Sequence, residues 1–196
     1  MKVLVNLMEQ MQILKQSLSD APIIWKGDYP YFIHPITDGV PRLEPNVLQA
    51  IVDLTEPLVD WDNIDIILGI EAMGLPLTAP LAMRTGVPMV IARKRSYGLD
   101  GEVQIDQQTG YSKGSIYLND IKAGERIAII DDVLSTGGTM RSVIEGVKQT
   151  KASIENIVIV VEKGDGMQNL KQDYPSIRFD SLVKLHMDGE RIIVTD

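Results

Sequence analysis

The 196-residue chain has no cysteine, which excludes disulfides, thiolate metal sites and thiolate nucleophiles together. Its two histidines, His34 and His186, are too few and too separated to suggest a structural zinc site. Cations are scarce: 19 Lys and Arg stand against 27 Asp and Glu, and the net charge of -8 argues against a broad nucleic-acid face. Long apolar runs are missing as well. The longest, such as residues 157–161, fall far short of the ~20 residues that cross a bilayer. Asn6, Glu9 and Gln10 interrupt the apolar residues near Met1, so no signal-peptide core is expected. What remains, 44% hydrophobic and 23% charged, describes a folded chain of ordinary size, read as one domain over 1–196. A soluble cytoplasmic enzyme acting on small molecules fits these exclusions best.

The most informative stretch is 126–140. Four apolar residues in a row, Ile127 to Ile130, predict a buried strand over 127–131 in a parallel sheet. Asp131 and Asp132 stand at its carboxyl end, then a loop of Ser135, Thr136, Gly137, Gly138 and Thr139, then a helical pattern. Ligands of open α/β sheets bind beyond the carboxyl ends of the strands. Backbone N–H groups, three hydroxyls and a helix amino end make this loop a cradle for a phosphate. It is neither a Walker A loop nor the dinucleotide fingerprint, since it lacks Gly-Lys-Ser/Thr and the acids precede adjacent glycines. Two carboxylates beside a bare phosphate would repel it. They make sense if the ligand also carries vicinal hydroxyls or a divalent cation.

The rest of the chain alternates. Apolar residues predict helices over 4–18, 45–58, from Leu77 to Thr85, 138–149 and around 166–173. Strands are expected at 64–70, 89–92, 127–131 and 157–161, with a final pair near 177–185 and 190–194 joined by a turn at Asp188-Gly189. Strand, helix and strand with short connections signal βαβ units. Two stretches break the pattern. Residues 27–41 hold three prolines and two glycines among aromatics; they read either as a hood stacking on a flat ligand or as a structural connection. Residues 93–118 read as a two-stranded mobile flap. They begin with Arg93, Lys94 and Arg95, either a solvated charge cluster or ligands for a pyrophosphate.

Apolar strand, Asp-Asp, two residues and Ser-Thr-Gly-Gly-Thr resemble the phosphoribosyl-pyrophosphate (PRPP) motif of type I phosphoribosyltransferases. Gly69-Ile-Glu-Ala-Met-Gly74, Gly86-Val-Pro88, Arg93-Lys94 and Gly101-Glu-Val103 resemble the adenine phosphoribosyltransferase-like branch. Within it, His34-Pro-Ile-Thr-Asp-Gly-Val-Pro41, Glu71-Ala-Met-Gly-Leu-Pro76 and Gln107-Gln-Thr-Gly-Tyr-Ser-Lys-Gly114 are similar to archaeal-type hypoxanthine/guanine phosphoribosyltransferases. The resemblance covers nearly the whole chain.

It implies an α/β fold with a central, mostly parallel sheet flanked by helices, a hood drawn largely from 20–44 and the flap. It also implies transfer of the phosphoribosyl group of PRPP to hypoxanthine or guanine, with Mg²⁺ bound mainly through PRPP, and a homodimer. Carried over by position, Asp131 and Asp132 contact the ribose hydroxyls and balance positive charge at the reacting carbon. Ser135 to Thr139 hold the 5′-phosphate. The amides of Glu71, Ala72 and Gly74, with Arg93 and Lys94, hold pyrophosphate, and Lys163 faces a purine O6. Two positions depart from the adenine branch. Met73 stands where that branch has Arg, so one pyrophosphate cation is missing or is supplied by Arg95 or Lys113, and Tyr111-Ser-Lys113 stands where its flap carries Glu. Adenine or xanthine as the base, and a non-catalytic PRPP-sensing regulator, are the alternatives; the regulator would need a basic DNA-binding segment, which the residues before the fold do not provide.

Overall fold

Helix α1 (Lys2–Ser19) buries Leu14 and Leu18 completely, because residues four apart lie on one helical face. A hairpin of β1 (Ile23–Lys26) and β2 (Tyr29–Phe32) follows, then the one-turn helix α2 (Pro35–Asp38). Prolines at 30, 35 and 41 keep these elements to four residues each. After α3 (Pro45–Thr55) come β3 (Ile66–Ile70), α4 (Leu75–Thr85), β4 (Met89–Ala92) and the hairpin β5 (Val103–Thr109) and β6 (Ser112–Leu118). Then come β7 (Arg126–Leu134), α5 (Gly138–Gln149), β8 (Ser153–Glu162), α6 (Gly166–Asp173), β9 (Arg178–Asp188) and β10 (Arg191–Thr195). The computed structural model describes residues 2–27, 29–109 and 112–195, without the side chains of residues 2–5, 26, 29, 107–109, 112 and 113. The flap residues Tyr111 and Lys113, weighed above, therefore lie outside the described residues and side chains.

Six strands form the central sheet in the order β10-β9-β8-β7-β3-β4. All neighbours run parallel except β10, which returns antiparallel on β9 through the expected turn at Asp188-Gly189. Parallel sheets carry apolar residues on both faces because helices cover both. Ala128 and Ile130 pack with α1, α3 and α4, while Ile127 and Ile129 pack with α5, α6 and the flap. Among the described residues, no helix is long and apolar enough to cross a membrane.

Several boundaries differ from the expectations; β8, for one, begins at Ser153 and β9 runs on to Asp188. The central strand runs on to Leu134, so Asp131 and Asp132 lie within it, because Val133 and Leu134 still pair with Val161 and Glu162 of β8. Helix α3 stops at Thr55 and tightens into a 3₁₀ turn over Glu56–Leu58, where Pro57 disfavours further α-helix. Because β4, β3, β7 and β8 are parallel, their carboxyl ends share one edge of the sheet.

Candidate active site

At that edge the acid pair is almost enclosed, Asp131 and Asp132 each being 8% exposed. Burial, and then the charge of Asp132 beside it, push Asp131 well above the ordinary carboxylate range. Burial pushes Asp132 up to about 6, and the Asp38 carboxylate of α2 adds to the rise. Two such groups favour retaining a proton until a ligand supplies hydroxyl donors or positive charge. Gly74 comes close on the β3–α4 side, where a Cβ would lie 3.1 Å from Asp131 Oδ1 and 2.7 Å from the Ile70 amide nitrogen. Only glycine leaves that approach open.

The loop expected to cradle a phosphate borders an open cleft. A cleft of about 170 Å³ is lined by Asp131, Val133, Leu134 and the segment from Ser135 to Met140. Gly137 caps α5 with φ +79°, the left-handed region that favours glycine. The first amides of α5 have no partner within the helix and point their positive end at the cleft. Behind the loop, the Gly166 amide of α6 donates to the Ser135 carbonyl at 3.0 Å.

Across the edge lies the loop after β3. The Glu71–Ala72 peptide is cis. The Glu71 amide donates to Ala92 O and the Gly74 amide to Ile70 O, both at 3.0 Å, so the β3–β4 ladder and the entry to α4 already engage two of the three expected amides. Among the described residues, Ala72 N–H makes no such backbone bond. The Glu71 carboxylate lies 2.8 Å from Arg93 Nε and accepts from the Lys94 amide at 3.1 Å. Lys94 and Arg95 are exposed. Met73 packs its sulfur near Gly39 of the hood.

The aromatic stretch and Lys163 meet. Lys163 Nζ is 5.4 Å from the Phe32 ring and 6.0 Å from the Tyr31 ring, and the Lys163 amide donates to Leu134 O at 2.8 Å. Two residues to which the sequence assigns no structural role, Asp38 and His34, hold this hood. Asp38 accepts from Tyr31 OH at 2.9 Å, Thr37 Oγ1 at 2.6 Å and the His34 amide at 3.1 Å. His34, 2% exposed, accepts the Ile36 amide on Nδ1 at 3.2 Å and lies 2.9 Å by Nε2 from Ser17 Oγ of α1. Because Nδ1 accepts, Nε2 carries the proton and donates to Ser17. The one legible signal for this knot was the Pro at the start of α2 and the Gly at its end.

Residues 42–187 match the family model described as the phosphoribosyl transferase domain. The chain belongs to this family. It is 45% identical over 186 residues to the hypoxanthine/guanine phosphoribosyltransferase of Aciduliprofundum boonei, covering 95% of this chain and 100% of that protein. Against the protein of the same description from Methanohalophilus mahii, identity is also 45%, covering 95% and 96%. Among solved structures, the fold is similar to adenine phosphoribosyltransferase from Thermoanaerobacter pseudethanolicus, with a TM-score of 0.72 and 22% identity, covering 89% of this chain and 99% of that one. The Saccharomyces cerevisiae enzyme, complexed with an imino-altritol bisphosphate and adenine, gives a TM-score of 0.71 at 22% identity, covering 89% and 99%. At that identity the structural likeness establishes the fold and leaves the base open.

This phosphoribosyltransferase therefore presents one sheet edge with the cleft beside Ser135 to Thr139, a buried acid pair, a cationic strand end and Lys163 against the aromatics of the hood. Among the described residues, no cluster of three or more His, Cys, Asp or Glu is suited to a metal ion. A Mg²⁺ held mainly through phosphate oxygens and water would need no such cluster.

Proposed function

We propose that the chain transfers the 5-phosphoribosyl group of PRPP to hypoxanthine and guanine, giving IMP or GMP and pyrophosphate. The observation that carries the choice of base is Lys163, whose ammonium stands against the hood aromatics. An ammonium only donates, which suits a purine O6 and opposes an adenine amino group. The near-complete coverage of relatives bearing that name supports the same reading. Ser135 to Thr139 hold the 5′-phosphate, Asp131 and Asp132 accept from the ribose hydroxyls, and Arg93, Lys94, and the Ala72 amide, with the rest of the loop from Glu71 to Gly74, face the pyrophosphate.

The base nitrogen attacks the anomeric carbon as the carbon–oxygen bond to pyrophosphate breaks, the electron pair leaving with pyrophosphate and the base giving up its proton. Positive charge develops on the ribose, and the acid pair, ionised once ligand fills the cleft, stabilises it. Mg²⁺, when bound through PRPP, neutralises charge on the leaving group. The flap over 93–118 and the hood exclude water from this edge. The whole chain acts as one catalytic unit, with a cytoplasmic homodimer as its working form.

An assay with PRPP, Mg²⁺ and each of adenine, hypoxanthine, guanine and xanthine tests the reading. Turnover of hypoxanthine and guanine well above adenine is expected. Preference for adenine would assign the chain to its structural neighbours' reaction, and PRPP binding without turnover of any base would make it a regulator. Sedimentation tests the dimer.

A further inference from the structure

Glu102 lies away from the cleft, yet its carboxylate accepts four hydrogen bonds. Oε1 takes the Ser96 hydroxyl at 2.5 Å and the Gly98 amide at 3.4 Å, while Oε2 takes the Tyr97 amide at 2.9 Å and Asn119 Nδ2 at 3.0 Å. Ser96 to Gly98 leave β4 directly after Arg93, Lys94 and Arg95. Glu102 immediately precedes β5 and Asn119 immediately follows β6. One side chain thus ties the cationic loop to both ends of the flap. Residues 94–101 are all exposed, and the loop is held besides by the Lys94 amide on the Glu71 carboxylate and the Glu102 amide on Leu99 O.

Tyr97 carries the connection onward. Its ring lies 5.6 Å from the Arg93 guanidinium and 5.8 Å from that of Arg95, within cation–π reach of both. Arg93 is also laddered to the flap, its amide donating to Tyr117 O at 2.9 Å and its carbonyl accepting from Tyr117 N at 2.7 Å. Fixing the Tyr97 backbone therefore fixes how the arginines are presented.

We propose that Glu102 is a positioning residue that sets the arrangement of Arg93, Lys94 and Arg95 against the neck of the flap, and through it the affinity for the pyrophosphate of PRPP. The inference rests on reading the cationic strand end as the pyrophosphate site. Glu102 is held ionised, pulled down to about 2 first by the Ser96 hydroxyl, so its charge is present whenever substrate binds. Electrostatics and positioning then predict opposite signs. Removing a negative charge near an anion site tightens the anion if only charge matters. Glu102→Gln also replaces one acceptor oxygen by an amide that cannot accept from its two donors, and so loosens the loop.

The test is steady-state kinetics on the full chain, varying PRPP and the accepted purine separately, with calorimetry of Mg²⁺-pyrophosphate binding. Glu102→Gln is expected to raise the KM for PRPP and the pyrophosphate Kd about tenfold, the cost of one charge-assisted hydrogen bond, and to leave the KM for the purine unchanged. Tyr97→Leu should act in the same direction, and the double variant should be no worse than the poorer single one. Unchanged or tighter PRPP binding in Glu102→Gln would overturn the proposal. So would equal losses for both substrates together with a lowered Tm, which mark general destabilisation. Lys94→Ala separates the premise from the inference. Undiminished pyrophosphate binding there removes the premise, whereas weaker binding there with a neutral Glu102→Gln removes only the role of Glu102.

Discussion

Asp132 pits binding against stability within one side chain. Its pKa is about 6 in the fold against 3.8 for the ordinary group, so the native state binds more protons than the unfolded chain between those values. Stability contributed by this group therefore falls as pH rises from about 4 to about 6 and stays low above. Asp132→Asn removes that cost. The ligand-free variant is expected to be more stable than wild type at pH 8 by an amount of order 1–3 kcal/mol, with the difference shrinking towards pH 4, as read by denaturant unfolding at each pH. The same substitution should lower kcat/KM for PRPP about 100-fold, because a carboxylate facing developing positive charge is lost. A variant less stable at every pH would show that the pair is not strained by charge. Lys163→Ala makes the complementary test. Losing one charge-assisted hydrogen bond to O6 should cost hypoxanthine about 10- to 100-fold in kcat/KM and leave any adenine turnover unchanged; equal losses for both bases would remove its role in selectivity.

At the scale of elements, the hood hangs on His34, which joins α2 to α1. Burial lowers His34 to about 4 from 6.5, against a smaller opposing pull from Asp38. A depressed histidine pKa means that the unfolded chain binds the extra proton first. This contribution is thus intact above about pH 6.5 and is lost progressively as pH falls towards 4. Its slope opposes that of Asp132 in the same window, so each needs its own variant. His34→Gln should flatten the acid loss of stability and, by loosening the hood, raise the KM for the purine more than the KM for PRPP. An unchanged acid slope would exclude His34 as its source.

The sequence made the elements legible because their signals are local. Met140, Val143, Ile144 and Val147 repeat at helical spacing and are all buried in α5, and Ile127 to Ile130 form a wholly buried run. The acid pair was misplaced to the end of its strand because polarity reads as an ending, whereas pairing with β8 carries the strand on to Leu134. Which amides remain open after β3 depends on ladder register, and the meeting of Tyr31 with Lys163 on tertiary folding. Neither leaves a periodic trace in the sequence.

For the whole molecule, the consequence is a site split between separately built pieces. The cleft proposed for the 5′-phosphate belongs to β7 and α5, the cationic strand end to β4, and the loop from Glu71 to Gly74 to the β3–α4 connection. A ligand binding only the native state stabilises it by about 2.7 kcal/mol at a hundredfold excess over Kd, equivalent to about 5–10 °C in Tm for a chain of this length. PRPP with Mg²⁺ should give a shift of that size. Ribose 5-phosphate and pyrophosphate with Mg²⁺, each at the same concentration, should give smaller ones, since each engages one side. Linking the two halves makes the second contact intramolecular, so PRPP should bind more tightly than either fragment by well over tenfold. Thermal melts with the three ligands, extended to Kd by titration, read this directly. If ribose 5-phosphate alone matched PRPP, the cationic strand end would contribute nothing to binding, and the recognition of PRPP would reside wholly in the cleft between Asp131 and Thr139.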